Sequence, residues 1–151
     1  MCGVFARERT HTILLCPVVM ELWNRLEPHL LMLDSSPTSK HEMALGLAGS
    51  GAKVALRNRI AFTLRSAVLA MRWIKIRNIE RAAENIWGSF LTNLKREVLE
   101  DYWVAKIHGT MEEFEQSTLV NGVLGTMGAN GFICWSPWLL DIRVGYWDIF
   151  Y

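Results

Sequence analysis

Lys53 to Arg81, KVALRNRIAFTLRSAVLAMRWIKIRNIER, is the stretch whose reading decides the fold, and it reads as one long helix. At roughly 100° of turn per residue, Phe62, Leu69, Trp73 and Ile76 share one arc, and Leu56, Ile60, Ala67 and Ile74 share another. Two apolar faces require two packing neighbours, so this stretch is expected to be the central helix of a bundle. Two basic stripes separate the faces, one of Arg57, Arg65, Arg72 and Lys75, the other of Arg59, Arg77 and Arg81. Arginines at such seams either snorkel from an ordinary core helix or offer charge to an anion.

Working outward, a chain of 151 residues fits one domain with a real core. Its 51% hydrophobic content and seven tryptophans suggest a surface made to cover a partner or to be covered by one. Net charge is only +1, but it is segregated. Residues 53–81 hold eight Lys and Arg against one acid, whereas residues 82–119 hold three basic and seven acidic residues. That asymmetry points to a localised anion-binding face, or else to an acidic segment that pairs with the basic one.

The start, MCGVFARERTHT, has neither the apolar core nor the small-residue cleavage site of a signal peptide. The most apolar window, Ile60 to Ile76, is interrupted by Arg65, Arg72 and Lys75, so no membrane span is expected. Three unevenly spaced cysteines do not make a disulfide framework, which points to a reducing intracellular compartment, nucleus or cytoplasm.

Cys2, His11 and Cys16 follow a Cys-x8-His-x4-Cys spacing. Thiolate and imidazole are the usual zinc ligands, but a closed structural site takes four, and the other reading is a stray thiol beside a surface histidine. The surrounding sequence adds to the first reading. Cys-Gly, the charged run ERTHT, then ILLCP and a helix opening VVMELW resemble the zinc-binding knuckle that follows the polymerase in non-LTR retrotransposon reverse transcriptases. The resemblance implies that Cys2, His11 and Cys16 are the second, third and fourth zinc ligands, with the first cysteine just before Met1. It implies a C-terminal piece that begins inside a truncated knuckle. Cys134, His29, His41 and His108 are the conceivable substitutes for the missing ligand.

Downstream, Pro17 suits the first turn of a helix carrying Val19, Leu22, Trp23, Leu26, Leu30 and Leu33, with Pro28 expected to kink or break it. Ser39 and Glu42 fit a capping box for a short helix through Leu47, which Gly46, Gly49 and Gly51 end as a linker. No Lys-Ser/Thr closes these glycines into a phosphate loop. Leu45 to Leu47 and the set Trp73, Lys75, Arg77 and Asn78 are similar to a spacer and a Trp-Lys-x-Arg-Asn pattern of the same elements, as is the arrangement of Ala105, Lys106, Gly109 and Phe114. The resemblance covers residues 2 to about 118.

A second long helix is expected over 79–108, with Ala83, Ile86, Trp87, Phe90, Leu94, Val98 and Tyr102 as its apolar stripe and Glu84, Glu97, Glu100 and Asp101 as a solvated face. A short helix bearing Met111 and Phe114 should follow Gly109. Asn130-Gly131 between two β-compatible runs signals a hairpin, and two strands alone are marginal, so it should lean on the helices. The expected architecture is therefore mainly α, with residues 1–118 as a knuckle-like start plus helical region and 119–151 as hairpin and tail.

A polymerase needs closely placed carboxylates for two metal ions, and no Asp-Asp turn occurs here. The chain by itself is expected not to be an enzyme. It reads as a fragment whose partners are the RNA or DNA backbone and the polymerase domain, with contacts independent of sequence. Arg57, Arg65, Arg72 and Lys75 are expected to lead those contacts, ahead of Arg59 and Arg77, because a guanidinium fork can bind two phosphate oxygens. The other readings are a stand-alone helical protein-interaction module from a decayed transposon and, more weakly, a membrane-surface helix.

Overall fold

The structure is a computed structural model that describes residues 16–33, 39, 45–71 and 79–140. Four α-helices are described: α1 (Pro17–Leu31), α2 (Ala52–Met71), α3 (Ile79–His108) and α4 (Met111–Thr118). A 3-10 turn (Val120–Gly122), strands β1 (Gly125–Met127) and β2 (Ile133–Trp135), and a second 3-10 turn (Pro137–Leu140) complete the order.

The basic helix α2 packs against α3 and α4, and α3 packs against α1, α2 and α4. The buried stripe of α3 is continuous from Ala82 and Ala83 through Ile86, Trp87, Phe90, Leu94, Val98 and Tyr102 to Ala105. On α2, the described residues of the two apolar arcs differ in burial. Leu56, Ile60 and Ala67 are buried, whereas Phe62 is 40% exposed and Leu69 only half-buried. Phe62 instead meets the glycine linker: a Cβ on Gly46, whose φ is +95°, would stand 2.9 Å from the Phe62 ring. The linker is further pinned by Asn58, which accepts from Leu47 N at 2.7 Å and donates to Leu47 O at 3.1 Å. Gly46 to Ala48 are non-helical, so the short helix expected to run through Leu47 stops before them. The described part of the basic helix ends at Met71, and Trp73, Ile74 and Ile76 lie outside the described residues.

α1 buries Val19, Leu22, Trp23, Leu26 and Leu30, the face its periodicity marks. Pro28 does not end it. Pro28 and Asn24, whose carbonyl the ring leaves without its helical donor, are both exposed, so water serves that carbonyl and the helix runs on to Leu31. At the end of α3, Gly109 at φ +71° lets Thr110 N donate back to Ala105 O at 2.9 Å. This is the Schellman turn that Gly makes easy, and it reverses the chain into α4.

The hairpin expected around Asn130-Gly131 is present as antiparallel β1 and β2, with Gly125 opposite Trp135 and Met127 opposite Ile133. Asn130 Oδ1 accepts from Phe132 N at 3.1 Å, and Gly131 has φ +79°. It leans on the helices through the Tyr102 hydroxyl, which donates to Gly131 O at 2.7 Å. Val123, Leu124 and Leu139 belong to the same core as Trp23, Leu64 and Phe90, so residues 119–140 pack with the helices.

Candidate nucleic-acid interface

The basic residues of α2 have different surroundings. Arg57 is buried, at 2% exposure, and its three guanidinium nitrogens have no hydrogen-bond partner among the described residues. Its place one residue from Leu56 and three from Ile60 puts it on the core side of the helix rather than on an open stripe. It is therefore not positioned to meet a phosphate, contrary to expectation.

Arg59 is engaged by acids of α3. Its guanidinium pairs with Asp101 and lies 3.5 Å from Glu97, while the Thr63 hydroxyl stands 2.9 Å from Arg59 O and 3.2 Å from Glu97 Oε2. Glu84 is likewise taken up by Arg25 of α1, at 2.8 Å, and that guanidinium also lies over the Trp87 ring at 5.2 Å. Hydrogen bonding to Glu84 is the main reason that Arg25 is held above its ordinary pKa, with burial opposing. Part of the acidic segment thus pairs with basic residues, and Glu84, Glu97 and Asp101 are tie points between helices rather than a solvated face.

Arg65 is half-buried, and its guanidinium lies over the exposed Phe62 ring at 5.6 Å from the centroid. Arg72, Lys75 and Arg77 lie outside the described residues.

Of the three zinc ligands, Cys2 and His11 also lie outside the described residues, as does His41. Cys16 is half-buried directly before α1, and its carbonyl accepts from Met20 N at 2.9 Å. Among the described residues no three His, Cys, Asp or Glu side chains gather as a metal site. Cys134 is exposed on β2, and His29 stacks on Trp138.

A feature that the sequence reading missed lies on the outer face of α3. Leu99, Trp103 and Ile107, spaced four residues apart, are 40%, 51% and 78% exposed. Leu99 and Trp103, together with Trp135 of β2, line a concavity of about 410 Å³ whose polar residues include Lys95, Arg96 and Glu100. Beyond Trp103, the Lys106 ammonium lies within 5.1 to 5.6 Å of the Tyr102, Trp103 and Phe132 ring centroids. The i, i+4, i+8 spacing is visible in the sequence but runs beside the longer apolar stripe of the same helix. Glu100 and Asp101 face different ways: Glu100 lies 3.9 Å from Arg96 at the concavity, and Asp101 meets Arg59.

No helix among the described residues is long and apolar enough to cross a membrane. Comparison with family models, with curated proteins and with solved structures finds no match to this chain.

Proposed function

We propose that this chain is the non-catalytic C-terminal region of a non-LTR retrotransposon reverse transcriptase and that it contributes sequence-independent binding of RNA or DNA. The knuckle-like sequence supports the family. The observation that carries the binding role is the Arg65–Phe62 pair, a planar cation resting on an exposed ring of the basic helix. Phosphate contacts by such a face depend on released counterions and carry no base code. Cys2, His11 and Cys16 are the residues that would hold zinc, and the metal's contribution would be to fold the knuckle.

The test is fluorescence anisotropy with labelled RNA and single-stranded DNA over a salt series. Binding should fall steeply with salt, and Arg65→Glu combined with Arg72→Glu should abolish it. A curve insensitive to both salt and the double substitution overturns the reading. A second reading, a helical protein-interaction module, is favoured by the exposed Val104, Ile107 and Phe132. It expects a protein partner whose binding survives the Arg65 and Arg72 charge reversals.

A further inference from the structure

On the reading of the chain as a nucleic-acid-binding module, we infer that the concavity of α3 and β2 takes an unpaired base of a single strand, stacked on Trp103, with its flanking phosphates on Lys95 and Arg96. The walls supply both parts of that chemistry. Leu99, Trp103 and Trp135 give an apolar, aromatic surface, and Lys95 and Arg96, about two helical turns before Trp103, line the same concavity. Trp103 is 51% exposed and the Lys106 ammonium lies 5.1 Å from its ring centroid, so a flat ring would stack on the part of the indole that Lys106 leaves open. Single-strand grooves of other proteins combine these elements, a cationic track with aromatic rings on which bases stack, without reading sequence.

Charge complementarity selects the occupant. Lys95 and Arg96 line the concavity with a single acid, Glu100, and Lys106 adds a further cation over the Trp103 ring. Glu100 and Arg96 are 69% and 66% exposed and 3.9 Å apart, a loose pair that a phosphate can displace at little cost. A duplex would present its phosphates but keep its bases stacked inside, so it could use the rim and not the rings. The concavity is an open depression of about 410 Å³, a shape that a flat base can lie against.

Anisotropy titrations of the full chain with a labelled oligothymidylate of about a dozen nucleotides, an abasic strand of equal length and a hairpin duplex test this. Oligothymidylate should bind more tightly than the other two. Trp103→Ala should weaken it by about tenfold or more, leave the salt dependence unchanged and bring its affinity to that of the abasic strand. Lys95→Glu with Arg96→Glu should weaken all three probes and flatten the salt dependence. Circular dichroism of each variant confirms folding, which substitution of so exposed a tryptophan should not disturb. If Trp103→Ala binds oligothymidylate as the parent does while the Arg65 and Arg72 reversals abolish binding, the stacking site is overturned and the nucleic-acid role stands. If the parent binds none of the probes, both fall. A dimer in sedimentation that Trp103→Ala dissociates, with oligothymidylate binding unchanged, gives the concavity to a second copy and likewise overturns it.

Discussion

The imidazole of His29 lies flat on the indole of Trp138, with ring centroids 4.4 Å apart and ring planes 12° from parallel. The contact joins the last turn of α1 to the second 3-10 turn, and Trp138 is fixed by donating from Nε1 to Val123 O at 2.7 Å. Trp87 and Phe90 of α3 lie beyond it, with ring centroids 6.3 and 6.4 Å from that of Trp138. The most C-terminal described turn is thus held to two helices through one indole.

Burial pushes the His29 pKa below its ordinary value of 6.5. As pH falls, the unfolded chain therefore takes up this proton before the folded one does. The stability tied to His29 is complete above the unfolded value and declines as pH drops through it towards the lower folded value. Thermal unfolding measured from about pH 8 to about pH 5 should show a falling midpoint. His29→Phe, which keeps the stack and removes the titration, should lessen that fall. An equal fall in parent and variant would remove His29 as its source.

Arg59, Thr63, Glu97 and Asp101 tie α2 to α3, and the charged side chains are 30%, 35% and 45% exposed for Arg59, Glu97 and Asp101. At that exposure solvent screens the pair, so its worth is well under that of a buried one. A double-mutant cycle with Arg59→Ala and Asp101→Ala should give a coupling of about 0.5 to 1 kcal/mol, shrinking in high salt. A coupling near zero at low salt would reduce the contact to coincidence of position. Even the smaller value matters to the reading of function, because it fixes Arg59 as a structural residue.

These tie points show what the sequence made legible and what it did not. The buried faces of α1 and α3 and the hairpin at Asn130-Gly131 follow from local periodicity and turn chemistry, which residues near in sequence determine. The role of each arginine is set across helices. Arg57 and Arg65 are eight residues apart on one helix, yet one is buried and the other rests on Phe62. Helical phase placed both on one stripe, but eight residues at 100° leave them roughly 80° apart, enough to separate core from surface. Pro28 shows a similar dependence on surroundings: the helix runs past it to Leu31, and its cost depends on whether the freed carbonyl can reach water. The concavity depends on β2 arriving beside α3, a long-range event that no window of sequence contains.

The hairpin offers a sharp test of such a long-range fit. A side chain on Gly125 would run into the carbonyl oxygen of Cys134 on the facing strand, which is backbone and cannot swing away. Gly125→Ala should therefore destabilise the fold by about 1 to 3 kcal/mol, read as a lowered denaturant midpoint. Tyr102→Phe removes the hydroxyl that Gly131 O accepts from and should cost about 1 kcal/mol. Hydrogen exchange should then speed up in β1 and β2 before it does in α3. Equal acceleration in both would mean that the hairpin and helix open as one unit.

Arg57 carries the last prediction. A guanidinium at 2% exposure, without a hydrogen-bond partner among the described residues, sits in the core at a large desolvation cost. Where a buried charge lacks compensation, an apolar side chain of similar length should serve better. Met is long and flexible enough to follow the path of the arginine stem between Leu56, Ile60 and their neighbours. Arg57→Met should stabilise the protein by about 1 kcal/mol or more, which for a chain of this size raises the thermal midpoint by roughly 2 to 4 °C per kcal/mol. Nucleic-acid affinity should be unchanged, since the side chain does not reach the surface. A lowered midpoint would mean that the charge is compensated in the folded protein. A lost affinity at unchanged midpoint would return Arg57 to the binding face that the sequence first assigned to it.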